Sequence, residues 1–215
     1  VVNLLYENEA MDEAADSVLR QSADVVVLSE FTPEHQATLG DHDLAADFPH
    51  RIEREGWGAG GIAIWSRYPM SEGVPLPTRN YSLDVTVSGP DGPVALIGVH
   101  AATPIFDFDA WQTDLAVVGR RTGAANGPTM VVGDFNASYW HPDFRDLLDD
   151  GFVDAHMAHG SGFSASWPMQ RWFPPFVRLD HALTGGGLVS TAVSDFDVPG
   201  SDHRGFVVTV APAER

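Results

Sequence analysis

Met130-Val131-Val132-Gly133-Asp134-Phe135-Asn136 is the stretch that decides how the rest of the chain is read. A short apolar run rich in β-branched residues, of the kind that fills a strand covered on both faces, stops at a glycine, a carboxylate and, after one aromatic, a carboxamide. The same arrangement recurs on either side. Val25 to Leu28 runs into Ser29-Glu30, and Val94 to Val99 runs into His100. The run Val177 to Leu183 is interrupted by Asp180-His181, and Ser201-Asp202-His203 stands just before Phe206 to Val210. Ligands of layered α/β folds sit at strand ends, so these groups are expected to converge on one cleft although they are far apart in sequence.

Further apolar runs at Val1 to Leu5 and Ile62 to Trp65 complete the buried strands, and only Ser82 to Ser88 alternates, with Leu83, Val85 and Val87 on one face. Helix-period stripes lie between some of them. Met11, Ala14, Ala15, Val18 and Leu19 follow an expected Asn8 cap, and Phe108, Trp111, Leu115 and Val118 follow Pro104. A shorter helix from Pro142 is expected to bury Phe144, Leu147 and Leu148. Several connections are too short for a crossover helix, so the sheets are expected to be mixed. With 215 residues and no linker-like segment, the chain is read as one domain, 1–215. Residues 160–176 form a long loop rich in Gly, Ser, Pro and Trp.

Composition narrows the chemistry. All twelve basic residues are arginine and there is no cysteine, which removes lysine Schiff bases, phosphate-loop lysines, thiol nucleophiles and thiolate zinc sites. A formal net charge of -18 opposes long polyanions at long range. No apolar run approaches the ~20 residues of a membrane span. Carboxylates gathered at strand ends repel one another unless a proton or cation neutralises them, and their oxygens suit magnesium or manganese better than zinc. Such an ion beside a histidine held by a carboxylate is the equipment for hydrolysing a phosphoester by direct attack of water. A serine hydrolase would need a Gly-x-Ser-x-Gly elbow, which is absent.

Val2-Asn3-Leu4-Leu5, Ser29-Glu30, Gly61 to Pro69, Val99-His100, Gly133-Asp134-Phe135-Asn136, Arg178-Leu179-Asp180-His181 and Ser201-Asp202-His203 resemble, in order, the motifs of the endonuclease/exonuclease/phosphatase superfamily. That group includes deoxyribonuclease I, exonuclease III, neutral sphingomyelinases and inositol-polyphosphate phosphatases. The resemblance implies a four-layer sandwich of two mixed β-sheets packed face to face with helices outside. It also implies a divalent-metal-dependent phosphoesterase acting on a small molecule, a lipid head group or a nucleic acid. Position by position, Glu30 resembles the principal metal ligand and Asn3 the asparagine supporting the metal and phosphate end. His100 resembles a histidine near the scissile phosphate, with an acid role. Asp134 and Asn136 resemble the pair that orients the attacking water and holds a phosphate oxygen. Asp202 resembles a carboxylate that orients the catalytic histidine or joins the metal shell, His203 is that histidine, and Asp180 resembles a supporting carboxylate. Leu5 stands where some nucleases carry a second acid, which argues against two metals. Glu53 and Glu55 are the acids nearest in sequence to the Ile62 strand that could partner His100.

Other residues have plainer readings. His181 is expected on the face opposite Asp180, His156 and His159 have ligand-like spacing on a Gly/Ala-rich stretch, and Arg171 and Arg178 either grip a phosphate or offset acids. The aromatic loop carrying Trp167, Trp172, Phe173 and Phe176 is expected to form a small satellite core, with a cleft overhang as the alternative. A nonspecific nuclease of the same fold and a catalytically silent binding domain are the competing functions. The chain opens without methionine, inside a strand-like run, which suggests a missing upstream export or anchoring segment on a bacterial, extracytoplasmic or membrane-tethered protein. A monomer is expected.

Overall fold

A computed structural model describes residues 1–169 and 171–213. One four-stranded sheet contains β1 (Val2–Asn3), β2 (Val25–Ser29), β3 (His50–Arg54) and β4 (Ile62–Ser66), in the order β1-β2-β4-β3. The second sheet contains β5 (Val74–Leu76), β6 (Ser82–Gly89), β7 (Gly92–His100), β8 (Thr129–Asp134), β9 (Val153–Asp154) and β10 (Asp180–Gly185), in the order β5-β6-β7-β8-β10-β9. Both are mixed: β1 with β2 and β7 with β8 are parallel, the other pairs antiparallel. A hairpin of β11 (Leu188–Asp197) and β12 (Arg204–Pro212) is joined to the start of β1 by reciprocal main-chain bonds between Val1 and Phe206.

Strand pleating sorts the apolar residues into layers, because alternate side chains leave opposite faces. Val27, Ile62, Ile64, Leu96, Val132 and Ala182 point into the space between the sheets. Their neighbours Val26, Leu28, Ala63 and Trp65 point outwards against α1 (Met11–Leu19), α2 (Pro33–Asp41) and α3 (Asp43–Asp47). On the other side Ile97, Val99, Val131 and Leu183 meet α4 (Phe108–Gly123) and α5 (Pro142–Asp146). The result is helix, sheet, sheet, helix, as expected from runs that read as covered on both faces. A short α6 (Ala155–Ala158) follows β9.

Several local expectations need correction. Asn8 does not cap α1. The N-cap is Ala10, and the Asn8 side chain donates to Leu4 O and Pro199 O while accepting from Ala10 N, so it staples the loop after β1 to the loop before Ser201. The run Val177 to Leu183 yields a strand only from Asp180, because Val177 is bridged to Trp167 instead. The strand run from Val1 contracts to Val2–Asn3, since Leu5 adopts φ 60° and turns the chain away. Beyond Phe206, β12 is only partly covered. Strands β3, β5, β9 and β11 carry too few consecutive apolar residues to be read from sequence.

Candidate active site

One edge of the sandwich collects the polar groups. Across the six-stranded sheet, His100 on β7 and Asp180 on β10 both stand in register with Asp134 on β8. Asp180 opens its strand while the other two close theirs, but antiparallel pairing of β10 puts all three at the same edge. In the four-stranded sheet, Asn3 ends β1 opposite Ser29 at the end of β2, and Glu30 follows. Gly133 makes the approach possible: it adopts φ 147°, and a Cβ there would sit 2.0 Å from Val99 O. Glu30 and Asn136 hold φ of 57° and 47°, so this edge stores backbone strain of about 1–3 kcal/mol per residue that the surrounding packing must offset.

The two sheets are linked by one carboxamide. Asn3 Nδ2 donates to Glu30 Oε1 and to Asp134 Oδ2, both at 3.0 Å, and Asn3 Oδ1 accepts from Leu5 N. Each end of the amide thus has only one workable orientation. The other Glu30 oxygen accepts from Tyr6 N at 2.9 Å. Glu30 is 8% exposed and its carboxyl is raised above the ordinary range, first by burial, with the bonds from Tyr6 and Asn3 working against it. A buried carboxylate whose hydrogen bonds come from neutral donors is suited to a hard cation as its counter-charge.

Asp134, Asp180 and His203 form a buried triad whose ligand-type atoms lie within 4.8 Å of one another. His203 Nδ1 is 2.8 Å from Asp180 Oδ2, and its Nε2 is 4.0 Å from Asp134 Oδ2. Burial alone would lower the imidazole pKa, but the charges of Asp180 and then Asp134 outweigh it and raise it to about 10. Asp134 is raised, by burial and then by Asp180, whereas Asp180 is lowered because the neighbouring His203 overcomes burial. Although this triad could also hold a metal, its histidine already supplies one positive charge against its two carboxylates, whereas Glu30 has no cationic neighbour in hydrogen-bond contact.

Of the residues expected to share a cleft, Asn3, Glu30 and Asp134 form one hydrogen-bonded set and His203 and Asp180 another, and His203 Nε2 brings the two within 4.0 Å at Asp134 Oδ2. Asn136 flanks it, its N donating to Asp134 Oδ1 and its Nδ2 to Ala101 O. Asp202 is not the group that holds His203. That place belongs to Asp180, and Asp202 Oδ2 accepts from Trp167 Nε1 at 3.0 Å. His100 is buried without either acid considered for it. Glu53 bonds Trp65 and Gln36, Glu55 is exposed, and His100 Nδ1 faces Gly61 O at 3.4 Å. Burial pushes the His100 imidazole below its ordinary pKa, which keeps it neutral.

Ser201 was not singled out by sequence. Its Oγ donates to Asn3 O and accepts from His203 N, tying the histidine loop to β1. His181 is structural, held between Asp154 Oδ2 at 2.8 Å and Ala137 O at 2.9 Å on the far side of β10. His156 pairs with Asp195 and His159 with Ser190, so their spacing does not make a ligand pair. Buried Arg178 is spent on Ser164 and Asp195 and grips no phosphate. The satellite-core expectation for the aromatic loop holds only in part: Trp167 and Phe173 are half-buried and both meet the Phe176 ring, but Trp172 is 94% and Phe176 69% exposed. Gln170 of that loop lies outside the described residues.

A family model described as the Endonuclease/Exonuclease/phosphatase family matches residues 2–203. The chain belongs to this family. Its members are hydrolases of phosphoester bonds that generally depend on a divalent metal, and the buried Asp134, Asp180 and His203 group fits that chemistry. Among solved structures, D. rerio TDP2 complexed with single strand DNA product superposes with a TM-score of 0.80 at 16% identity, over 97% of this chain and 96% of that one. The 3' phosphatase NExo from Neisseria, bound to a product DNA hairpin, gives 0.73 at 20% identity over 99% and 96%. An endonuclease/exonuclease/phosphatase from Beutenbergia cavernae gives 0.75 at 19% identity over 98% and 70%. At these identities the likeness is one of fold, the two-sheet α/β sandwich common to the family. A sequence comparison with curated proteins found no match.

Proposed function

We propose that this family member hydrolyses a phosphodiester or phosphomonoester by direct attack of water, with magnesium or manganese at Glu30. The observation that carries the reading is the Asn3 bridge, which joins the Glu30 carboxylate of one sheet to the Asp134–His203–Asp180 relay of the other. Glu30 would hold the ion, with Asn3 setting the carboxylate's orientation and Asp202 at the rim as a further oxygen donor. When bound, such an ion stabilises the charge that develops on the phosphoryl oxygen.

The protein's own groups then divide the proton chemistry. The 4.0 Å gap between His203 Nε2 and Asp134 Oδ2 is too wide for a direct bond but fits one water making two hydrogen bonds of about 2.8 Å. That water accepts from the His203 N–H and donates to Asp134, which leaves a lone pair for phosphorus. As its oxygen bonds to phosphorus, its proton passes to the Asp134 carboxylate, whose proton affinity is raised, and the P–O bond to the leaving group breaks on the opposite side. Asp180 holds His203 charged and oriented. His100 stands in register beside Asp134, where burial holds its imidazole below the ordinary pKa. Asn136, fixed by Ala101 O, presents its remaining amide hydrogen to a phosphate oxygen.

The test offers bis-nitrophenyl phosphate, plasmid DNA, sphingomyelin and inositol phosphates with magnesium or manganese to wild type, Glu30→Gln and His203→Ala. Metal-dependent turnover on at least one substrate, lost in both variants, is expected. Strong plasmid nicking at low salt would favour the nuclease reading. Equal, negligible turnover by all three proteins on every substrate would favour a silent binding domain.

A further inference from the structure

Several of the most exposed aromatic side chains sit on loops that leave the catalytic edge of the sheets, and three of them, Trp140, Phe163 and Phe176, also line one cavity beside His181. Trp57, Phe106, Trp140, Phe163, Trp172 and Phe176 are all more than half exposed, and Trp57, Phe106, Phe163 and Trp172 exceed 80%. Each rides on a loop anchored at the site. Trp57 precedes Gly61, whose carbonyl faces His100 Nδ1; Phe106 follows His100; Trp140 follows Asn136; Phe176 precedes Asp180. At no more than ~3.4 Å per residue, the backbones of these four stay within roughly 20 Å of the residues that anchor them. Phe163 is tethered through its neighbour Ser164, which receives two bonds from Arg178 beside Asp180. The base of the long loop touches the site directly through the Trp167 to Asp202 bond.

Exposed rings gathered on several loops of one face mark an interaction surface. Charge decides which kind. The chain carries 30 acidic residues, yet none lies in 56–71, 135–142 or 155–179, the segments that bear five of these six rings. Those segments can therefore enter a polar headgroup layer without stripping water from a carboxylate. Tryptophan and phenylalanine at loop tips are the side chains that settle at that depth. The chain has no lysine, and Arg171 is the one exposed cation of the long loop, so that loop offers no basic cluster to hold an anionic surface, and the net charge of -18 opposes a nucleic acid.

We propose that this aromatic face docks on a zwitterionic phospholipid bilayer and that the site takes its phosphoester from the headgroup layer. Docking stands on the surface alone; the choice of substrate rests on the phosphoester-hydrolase reading above. The rings seat among headgroups and upper acyl chains, and the loops bring the cleft between Glu30 and His203 to the depth of the lipid phosphates.

The experiment is flotation with phosphatidylcholine vesicles, alongside turnover of soluble bis-nitrophenyl phosphate. Wild type, Glu30→Gln, Phe163→Ala/Trp172→Ala and Val189→Ala, a change on β11 away from the site, are compared. Wild type, Glu30→Gln and Val189→Ala are expected to float equally, and the double aromatic variant to lose about tenfold or more of its partition. That double variant should keep wild-type turnover of the soluble ester while losing turnover of vesicle lipid. If no variant floats while the soluble ester is hydrolysed, docking is overturned and the hydrolase reading survives. If wild type floats but no phosphoester is cleaved, the hydrolase reading fails and docking survives. Binding of a single-stranded oligonucleotide instead of vesicles, lost in the double aromatic variant, would overturn the lipid assignment in favour of base stacking.

Discussion

His203 Nδ1 lies 2.8 Å from Asp180 Oδ2, in a place where burial leaves each group dependent on the other. The adjacent Asp202, next to the histidine in sequence, is turned away to Trp167. On this geometry His203→Ala and Asp180→Asn are each expected to lower kcat by more than ~100-fold, the first by removing the charged donor and the second by releasing it. Asp202→Asn should cost about tenfold or less. Steady-state kinetics on bis-nitrophenyl phosphate, with circular dichroism to verify folding, would separate the three. A larger loss in Asp202→Asn than in Asp180→Asn would reverse the assignment.

Metal binding is expected to raise the melting temperature, because an ion that binds only the folded state stabilises it by mass action. Millimolar manganese should shift wild type upwards and leave Glu30→Gln unmoved, and chelation with EDTA should abolish turnover. A shift preserved in Glu30→Gln but lost in Asp180→Asn would place the ion in the triad instead.

Gly133→Ala tests the strained turn that carries Asp134 to the edge. A methyl group 2.0 Å from Val99 O at φ 147° forces the β7–β8 pairing apart, so a loss of about 3 kcal/mol or more in unfolding free energy is expected, together with loss of activity. Chemical denaturation would measure it. A near-neutral result would mean that the edge relaxes more readily than its packing suggests.

Acid sensitivity should come partly from outside the site. Burial would push the Asp154 carboxyl up, but the bond and charge of His181 win and hold it below the ordinary value. A carboxylate depressed in this way stabilises the fold above its unfolded pKa of about 3.9, and the contribution disappears as pH falls through the folded value. Asp154→Asn is therefore expected to be about 1–3 kcal/mol less stable than wild type at pH 7. That gap should hold down to about pH 4 and narrow below it. Denaturation curves across this range decide the matter, since a gap that does not narrow below about pH 4 would overturn this role for Asp154.

Much of this protein was legible in its residues. Apolar runs marked most of the buried strands, and the polar groups at their ends, in their breaks or just before them named Glu30, His100, Asp134, Asp180 and His203, because a strand covered on both faces must carry its polar groups at its ends. Strands β3 and β11 stayed hidden because half-covered strands with mixed side chains leave no continuous apolar signal. Sequence also set the charge and removed lysine and thiol chemistry.

Pairings were decided only in three dimensions. Register, and not adjacency, placed Asp180 beside Asp134 and so beside His203, while a neighbour in sequence, Asp202, found Trp167. A hydrogen bond depends on distance and direction across strands that the chain order does not specify, and the exposure of Phe163 and Trp172 depends on what packs over them. Residue type determined which chemistry was available at this edge; the folding of two sheets against each other determined which groups perform it.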